Sequence, residues 1–147
     1  MILDYRNGEN VEQEVIYQCY NDLGSAVVAG EMFFLSYEGD ADSLSPTARP
    51  TLMVPATSAI YRKVVVALEA VADQAWGKFM YAGHCPLVLC ASTVAINDYL
   101  QGVTATRVAG DDSTTQTIDS FGIAVTDYSA TTTGCEAILF GEKVNIG

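Results

Sequence analysis

Two stretches of the chain carry one pattern of apolar and polar positions. VVVALEAVADQAWGKFMYAG (residues 64–83) and FGIAVTDYSATTTGCEAILFG (residues 121–141) each hold an apolar run with an alanine, a polar middle, a glycine, a second apolar run and a closing glycine. Ala67 and Ala124 lie 57 positions apart, and so do Gly77 and Gly134. In the first stretch Val64, Leu68, Val71 and Ala75 fall at helical spacing, which by itself predicts a helix. The second stretch opposes it with three consecutive threonines and a glycine, all poor helix formers. Strand–turn–strand suits both copies, so each predicts a β-hairpin. A short helix at 68–75 is the alternative for the first.

The rest of the chain reads as further short strands. LGSAVVAGEMFFLSYEG (23–39) holds two apolar runs broken at Ala29-Gly30, and GDADSLSPTARP (39–50) is an exposed loop with Pro46 and Pro50. TLMVPATSAIYRKVVVALEAV resumes β-branched character, with Pro55 marking an edge or turn. HCPLVLCAS (84–92) and GVTATRVAG (102–110) predict strands joined by a turn around Asn97 to Gly102, and 111–119 reads as strand or loop. Many short strands with regular turn signals predict an all-β barrel or sandwich. The repeat makes it pseudo-symmetric, with the two hairpins packed across one core. Residues 1–22 stand apart. They lack a clean period and read as an extended, partly strand-like N-terminal arm on a domain of residues 23–147.

Composition narrows the function. A chain of 147 residues makes one domain and buries roughly 68–70% of its unfolded surface, so it needs no staples. Half the residues are apolar and 17% are charged, which hints at apolar surface covered by a partner. The net charge of −11 repels phosphate backbones and anionic lipid, so neither nucleic acid nor membrane is the expected partner. No apolar run approaches the roughly 18 residues of a membrane span, and the start of the chain does not read as a secretory signal. Cys19, Cys85, Cys90 and Cys135 read as reduced, buried thiols acting as small hydrophobes.

No constellation of residues argues for catalysis. His84 is the single histidine. HCPLVLC lacks metal-ligand spacing, and on a strand Cys85 and Cys90, an odd number apart, point to opposite faces. EGDADS (38–43) lacks the glycine and closing glutamate of a calcium loop. Asp111-Asp112 is a conceivable acid–base pair, but adjacent acids after a glycine suit a solvated turn. The expectation is therefore no enzyme, no metal and no cofactor. Aromatic anchors dominate protein interfaces, which draws attention to Tyr5, Tyr17 and Tyr20. Trp76, before a glycine at a turn, suits a subunit interface, or the rim of a sugar site were a deep aromatic pocket present.

These residues resemble the small β-barrel capsid decoration (cement) proteins of tailed bacteriophages. VALEAVADQAWGKFMYAG, then VAINDYL, then FGIAVTDYS with CEAILFGE follow that family's order of strands and turn, and SAVVAGEMFFLS resembles its earlier strand. Asn97-Asp98 stands where glycine-aspartate is usual. The resemblance covers residues 24–141 and implies a homotrimer on the outer capsid surface of the virion, clamping neighbouring subunits of the major capsid protein. It implies an arm that reaches over the coat, for which Leu3, Tyr5, Val11, Ile16, Tyr17 and Tyr20 are the contact candidates. A tail or fibre component, and a soluble sugar- or small-ligand-binding barrel, are the competing readings.

Overall fold

The computed structural model describes residues 3–6, 9–12, 14–38, 49–55, 63–91, 93–103, 106–111, 114–115, 120–128 and 134–141, with backbone alone for 3–12, 37, 38 and 111. The described residues form eleven strands and no helix. β1 (Leu3–Arg6) and β2 (Glu9–Glu12) pair as a separate antiparallel hairpin. The remaining strands are β3 (Val15–Tyr20), β4 (Met32–Glu38), β5 (Arg49–Met53), β6 (Val64–Ala67), β7 (Trp76–Leu89), β8 (Tyr99–Gly102), β9 (Ala109–Asp111), β10 (Gly122–Ala124) and β11 (Gly134–Phe140). They make one sheet in the order β3-β5-β4-β6-β7-β11-β10-β8-β9, and β3 also pairs with β7. That second pairing closes β3, β5, β4, β6 and β7 into a five-stranded barrel.

Both repeated stretches are hairpins. Ala67 pairs with Phe79 across β6 and β7, and Ala124 pairs with Ala137 across β10 and β11. The helical spacing of 64–75 loses to the β-branched run: Val64, Val65, Val66 and Ala67 are all buried. Val65 and Ala67 enter the barrel core with Phe33, Leu35, Leu52 and Phe79. Val64 and Val66 face the other way, into a second core with Met32, Phe34, Leu100, Ala124 and Leu139. A strand covered on both faces reads as a continuous apolar run rather than an alternating one.

There are therefore two cores where one was expected. The second unit repeats the first strand for strand. β4 corresponds to β8, β6 to β10, and the first half of β7 to β11, while the second half of β7 takes the place of β3. Each unit has one parallel contact, Tyr20 with Thr51 and Cys90 with Ala109. The backbone bonds repeat too. Gly30 donates to Ala67 (2.8 Å) and Ala67 to Glu31 (2.9 Å); Asn97 donates to Ala124 (2.9 Å) and Ala124 to Asp98 (2.9 Å). Val27 and Val71 exchange bonds in one unit, and Val94 and Tyr128 in the other.

Several strand limits differ from the sequence reading. β7 runs unbroken through Gly83 and Pro86 to Leu89, because its first half pairs with β3 and β6 and its second half with β11. The turn after it is centred on Ile96-Asn97, so Tyr99–Gly102 is strand, and of the stretch expected as strand after it, Val103 and residues 106–108 are not strand, while 104 and 105 lie outside the described residues. Val15–Tyr20, read as part of the arm, is a barrel strand. Of the residues read as the arm, those of β1 and β2 form a sheet of their own.

Candidate functional site

β3 alternates strictly. Val15, Tyr17 and Cys19 turn toward the barrel core, and Ile16, Gln18 and Tyr20 turn outward. Tyr20 pairs in register with Trp76 and Gln18 with Lys78. Ile16, Tyr20 and Trp76 therefore share one outer face, with Ile16 45% and Trp76 53% exposed. The Tyr20 and Trp76 rings meet edge-on at 5.5 Å. The Arg49 guanidinium, at the start of β5, lies 3.7 Å above the Tyr20 ring. A stacked guanidinium keeps its in-plane donors directed outward, available to a carboxylate.

A notch of about 280 Å³ adjoins this cluster, lined by Tyr20, Asp22, Gly24, Arg49, Asp73 and Gln74. Trp76 is beside it and not in its lining. The deep, tryptophan-lined pocket that would favour a sugar-binding barrel is not what the face presents. Asn21, which is fully buried, ties together the two chain segments that flank the notch. The Asn21 amide donates to Ser25 O (2.9 Å), Ala72 O (3.1 Å) and Val71 O (3.3 Å), and its Oδ1 accepts from Leu23 N (3.1 Å). Asp73 accepts the Gly24 N–H at 2.9 Å.

The other expected contact residues fall elsewhere. Tyr17 packs edge-on against Tyr81 at 5.4 Å, with Lys63 Nζ 5.8 Å and 5.2 Å from the two rings. Leu3, Tyr5 and Val11 are on the hairpin, in register with Glu12, Asn10 and Asp4. Arg49 and Asn21 were not singled out by sequence reasoning. Arg49 sits in a stretch that reads as loop, and a buried asparagine carries no mark that separates it from a turn asparagine.

The candidate chemistry does not converge. His84 points outward toward Glu136 (3.4 Å), while its neighbour Cys85 is buried. Among the described residues no three His, Cys, Asp or Glu side chains gather as a metal site would require. Asp112 and residues 39–43 lie outside the described residues, as does the Asp111 side chain. The expectation that Cys85 and Cys90 face opposite ways is overturned. Between Cys135–Val88 and Ala137–Cys85 the register gains a residue on β7. This bulge at Pro86-Leu87 reverses the alternation, so both thiols enter the second core.

All four cysteines are buried and free. Burial pushes the Cys19 thiol up to about 12 and that of Cys85, despite a bond to Leu87 O, to about 11. Cys90 Sγ and Cys135 Sγ touch at 3.7 Å. That contact, reinforced by burial, raises Cys135; the same contact lowers Cys90, against the opposing effect of burial.

No family model matches the chain, and no curated protein matches it. Among solved structures it is similar to the N base of the head fiber protein gp8.5 of bacteriophage phi29. The TM-score is 0.53 at 16% identity, over 90% of this chain and 99% of that one. The likeness shows that the whole all-β arrangement, and not one hairpin of it, is a fold with a solved counterpart.

Proposed function

We propose that the chain is a structural protein of a phage virion, assembled as a trimer on the outside of the head, where it ties neighbouring subunits of the major capsid protein together. The observation that carries this reading is the similarity to a phage head fiber base along nearly the full length of both chains. The family resemblance of the two hairpins points the same way. The head fiber neighbour also favours a second form of the reading, in which the protein is the base of a projection and not only a clamp.

The outer face of β3 and β7 supplies the chemistry for docking. Trp, Tyr and Arg are the residues over-represented where truncation costs most binding energy, and Trp76, Tyr20 and Arg49 form one contact cluster. Arg49 and Lys78 place two of the chain's seven basic residues there, beside Asp22 and Asp73, so a partner surface carrying both signs of charge is the complementary one. A standard interface buries about 1,600 Å² in all, and repetition over many capsid sites converts modest single affinities into avidity. Clamping from outside resists the pressure of packed DNA without altering coat-to-coat contacts.

Two measurements test this. Light scattering gives three times the 15.7 kDa chain mass, and the protein co-sediments with DNA-filled heads. Trp76→Asp with Arg49→Glu abolishes co-sedimentation while leaving the β-sheet circular dichroism intact. A monomer that ignores heads, or undiminished binding by the double variant, overturns the proposal.

A further inference from the structure

Cys90 and Cys135 are the one pair of thiols in contact among the described residues, and no role described so far uses them. Cys135 pairs with Val88 across β11 and β7. Cys90, two residues past Val88, lies diagonally opposite, and the bulge leaves it on the same buried side. The sulfurs are 3.7 Å apart. A disulfide needs about 2.05 Å, so they must close by roughly 1.7 Å. Cys90 sits past the end of β7, bridged to Ala109, and its Sγ–H is otherwise directed to Val88 O at 3.4 Å, a contact that closure would give up. It is also the most accessible of the four cysteine residues, 7% exposed against 2% for Cys135 and none for Cys19 and Cys85.

We propose that Cys90 and Cys135 are an oxidation site, converted by peroxide into a disulfide that staples β7 to β11 inside the second unit. The Cys90 thiolate attacks one peroxide oxygen, giving a sulfenic acid and, with the released proton, one water. The Cys135 sulfur then attacks the sulfenic sulfur. The S–O bond breaks as the S–S bond forms, and the departing hydroxide takes the Cys135 proton as a second water. Two thiols lose two electrons and hydrogen peroxide gains them. The hydrogen bond with Cys135, which favours the Cys90 thiolate, suits Cys90 to the first step. The bond closes a loop between positions 45 apart and so restricts the unfolded chain. A protein made in a reducing cytoplasm would thus gain stability after release into an oxidising medium.

The test uses the full-length reduced protein, treated under native conditions with hydrogen peroxide and then denatured and alkylated. The expected result is a mass about 2 Da lower before alkylation, then two alkylated cysteines in place of four and a cross-linked peptide joining Cys90 to Cys135. The melting temperature rises by roughly 5–15 °C and returns on reduction. Cys90→Ala and Cys135→Ala each abolish the mass change and the shift. Because the peptide map is read on the unaltered protein, the outcome does not depend on the variants folding. Four thiols still free, a cross-link through Cys19 or Cys85, or Cys90 carried on to sulfinic acid with Cys135 untouched overturns the proposal.

Discussion

Gly77 and Gly134 hold equivalent places in the two hairpins, and each is required for a different local reason. A Cβ at Gly77 would collide with the Val71 side chain, whereas one at Gly134 would collide with the Val88 carbonyl oxygen. A side chain can be shortened; a backbone carbonyl in a ladder cannot move without breaking pairing. Gly134→Ala is expected to cost about 2–3 kcal/mol, with no second-site relief from side-chain changes. Gly77→Ala should cost a similar amount, and Val71→Ala should recover at least 1 kcal/mol of it in a double-mutant cycle by urea unfolding. Cys19 gives a pH signature. Its thiol ionises at about 12 in the fold against an ordinary 9.0, so the folded state favours the proton. The resulting stability is complete below pH 9 and is lost as pH rises toward 12. Between pH 8 and 11 the wild type should therefore lose about 2–3 kcal/mol more than Cys19→Ala, measured by urea unfolding at each pH.

One turn recurs at the scale of elements. Val27–Glu31, Val71–Ala75 and Val94–Asp98 each place their fourth residue in the left-handed region, Gly30 at φ 91°, Gln74 at 58° and Asn97 at 74°. That residue donates, and the fifth accepts, across one neighbouring backbone residue: Ala67, Asn21 and Ala124 in turn. A left-handed non-glycine residue costs about 1–2 kcal/mol, while glycine loses roughly 0.5–1 kcal/mol more chain entropy. Gln74→Gly should thus stabilise by about 0.5 kcal/mol. Asn97→Gly should change little, since asparagine tolerates this region. Two of the turns are closed by an acid at the fifth position. Glu31 accepts the Val28 N–H (2.7 Å) and Asp98 the Ala95 N–H (2.8 Å). Arg107 joins the units at the first of these, donating to Ala26 O at 3.0 Å and to Ser25 Oγ, with Glu31 at 3.8 Å. Arg107→Ala should lower the unfolding free energy by about 1–3 kcal/mol.

Over the whole molecule, β7 belongs to both units and the outer wall of the barrel fills the second core. Met32, Phe34, Val64, Val66 and Met80 reach from the barrel into the cluster that holds Leu100 and Leu139. Neither unit can leave the other without exposing that surface, so the chain should unfold in a single cooperative transition. A fragment ending at Cys90 would uncover the outer wall. It is expected to aggregate or to bind a hydrophobic dye, and a monomeric, dye-silent fragment would contradict the shared core. On the outward face of β3 and β7, Ile16 is in register with Met80 at the edge of this junction, while Tyr20 and Trp76 pair four residues further along the strands.

The hairpins were legible because their evidence is local: β-branched runs, the glycines at 77 and 134, and one spacing between the copies. The barrel class followed from the density of short strands and turns. The second register of the repeat was not legible. Val27 and Val94, or Gly30 and Asn97, lie 67 positions apart instead of 57, since the connections between strands differ in length, and their shared backbone bonds place little demand on side-chain identity. Nor was the fate of Gly83, Cys85 and Arg49 written locally. A glycine ends a strand or passes through one according to what pairs beyond it. A cysteine changes face when a bulge adds one residue. An arginine read as loop becomes part of a binding face only when β3 and β7 bring Tyr20 and Trp76 alongside it. The sequence by itself determined that the chain is built of short strands and that one hairpin comes twice. The tertiary structure decided which face each side chain takes and which side chains meet, because those depend on pairing between segments far apart along the chain.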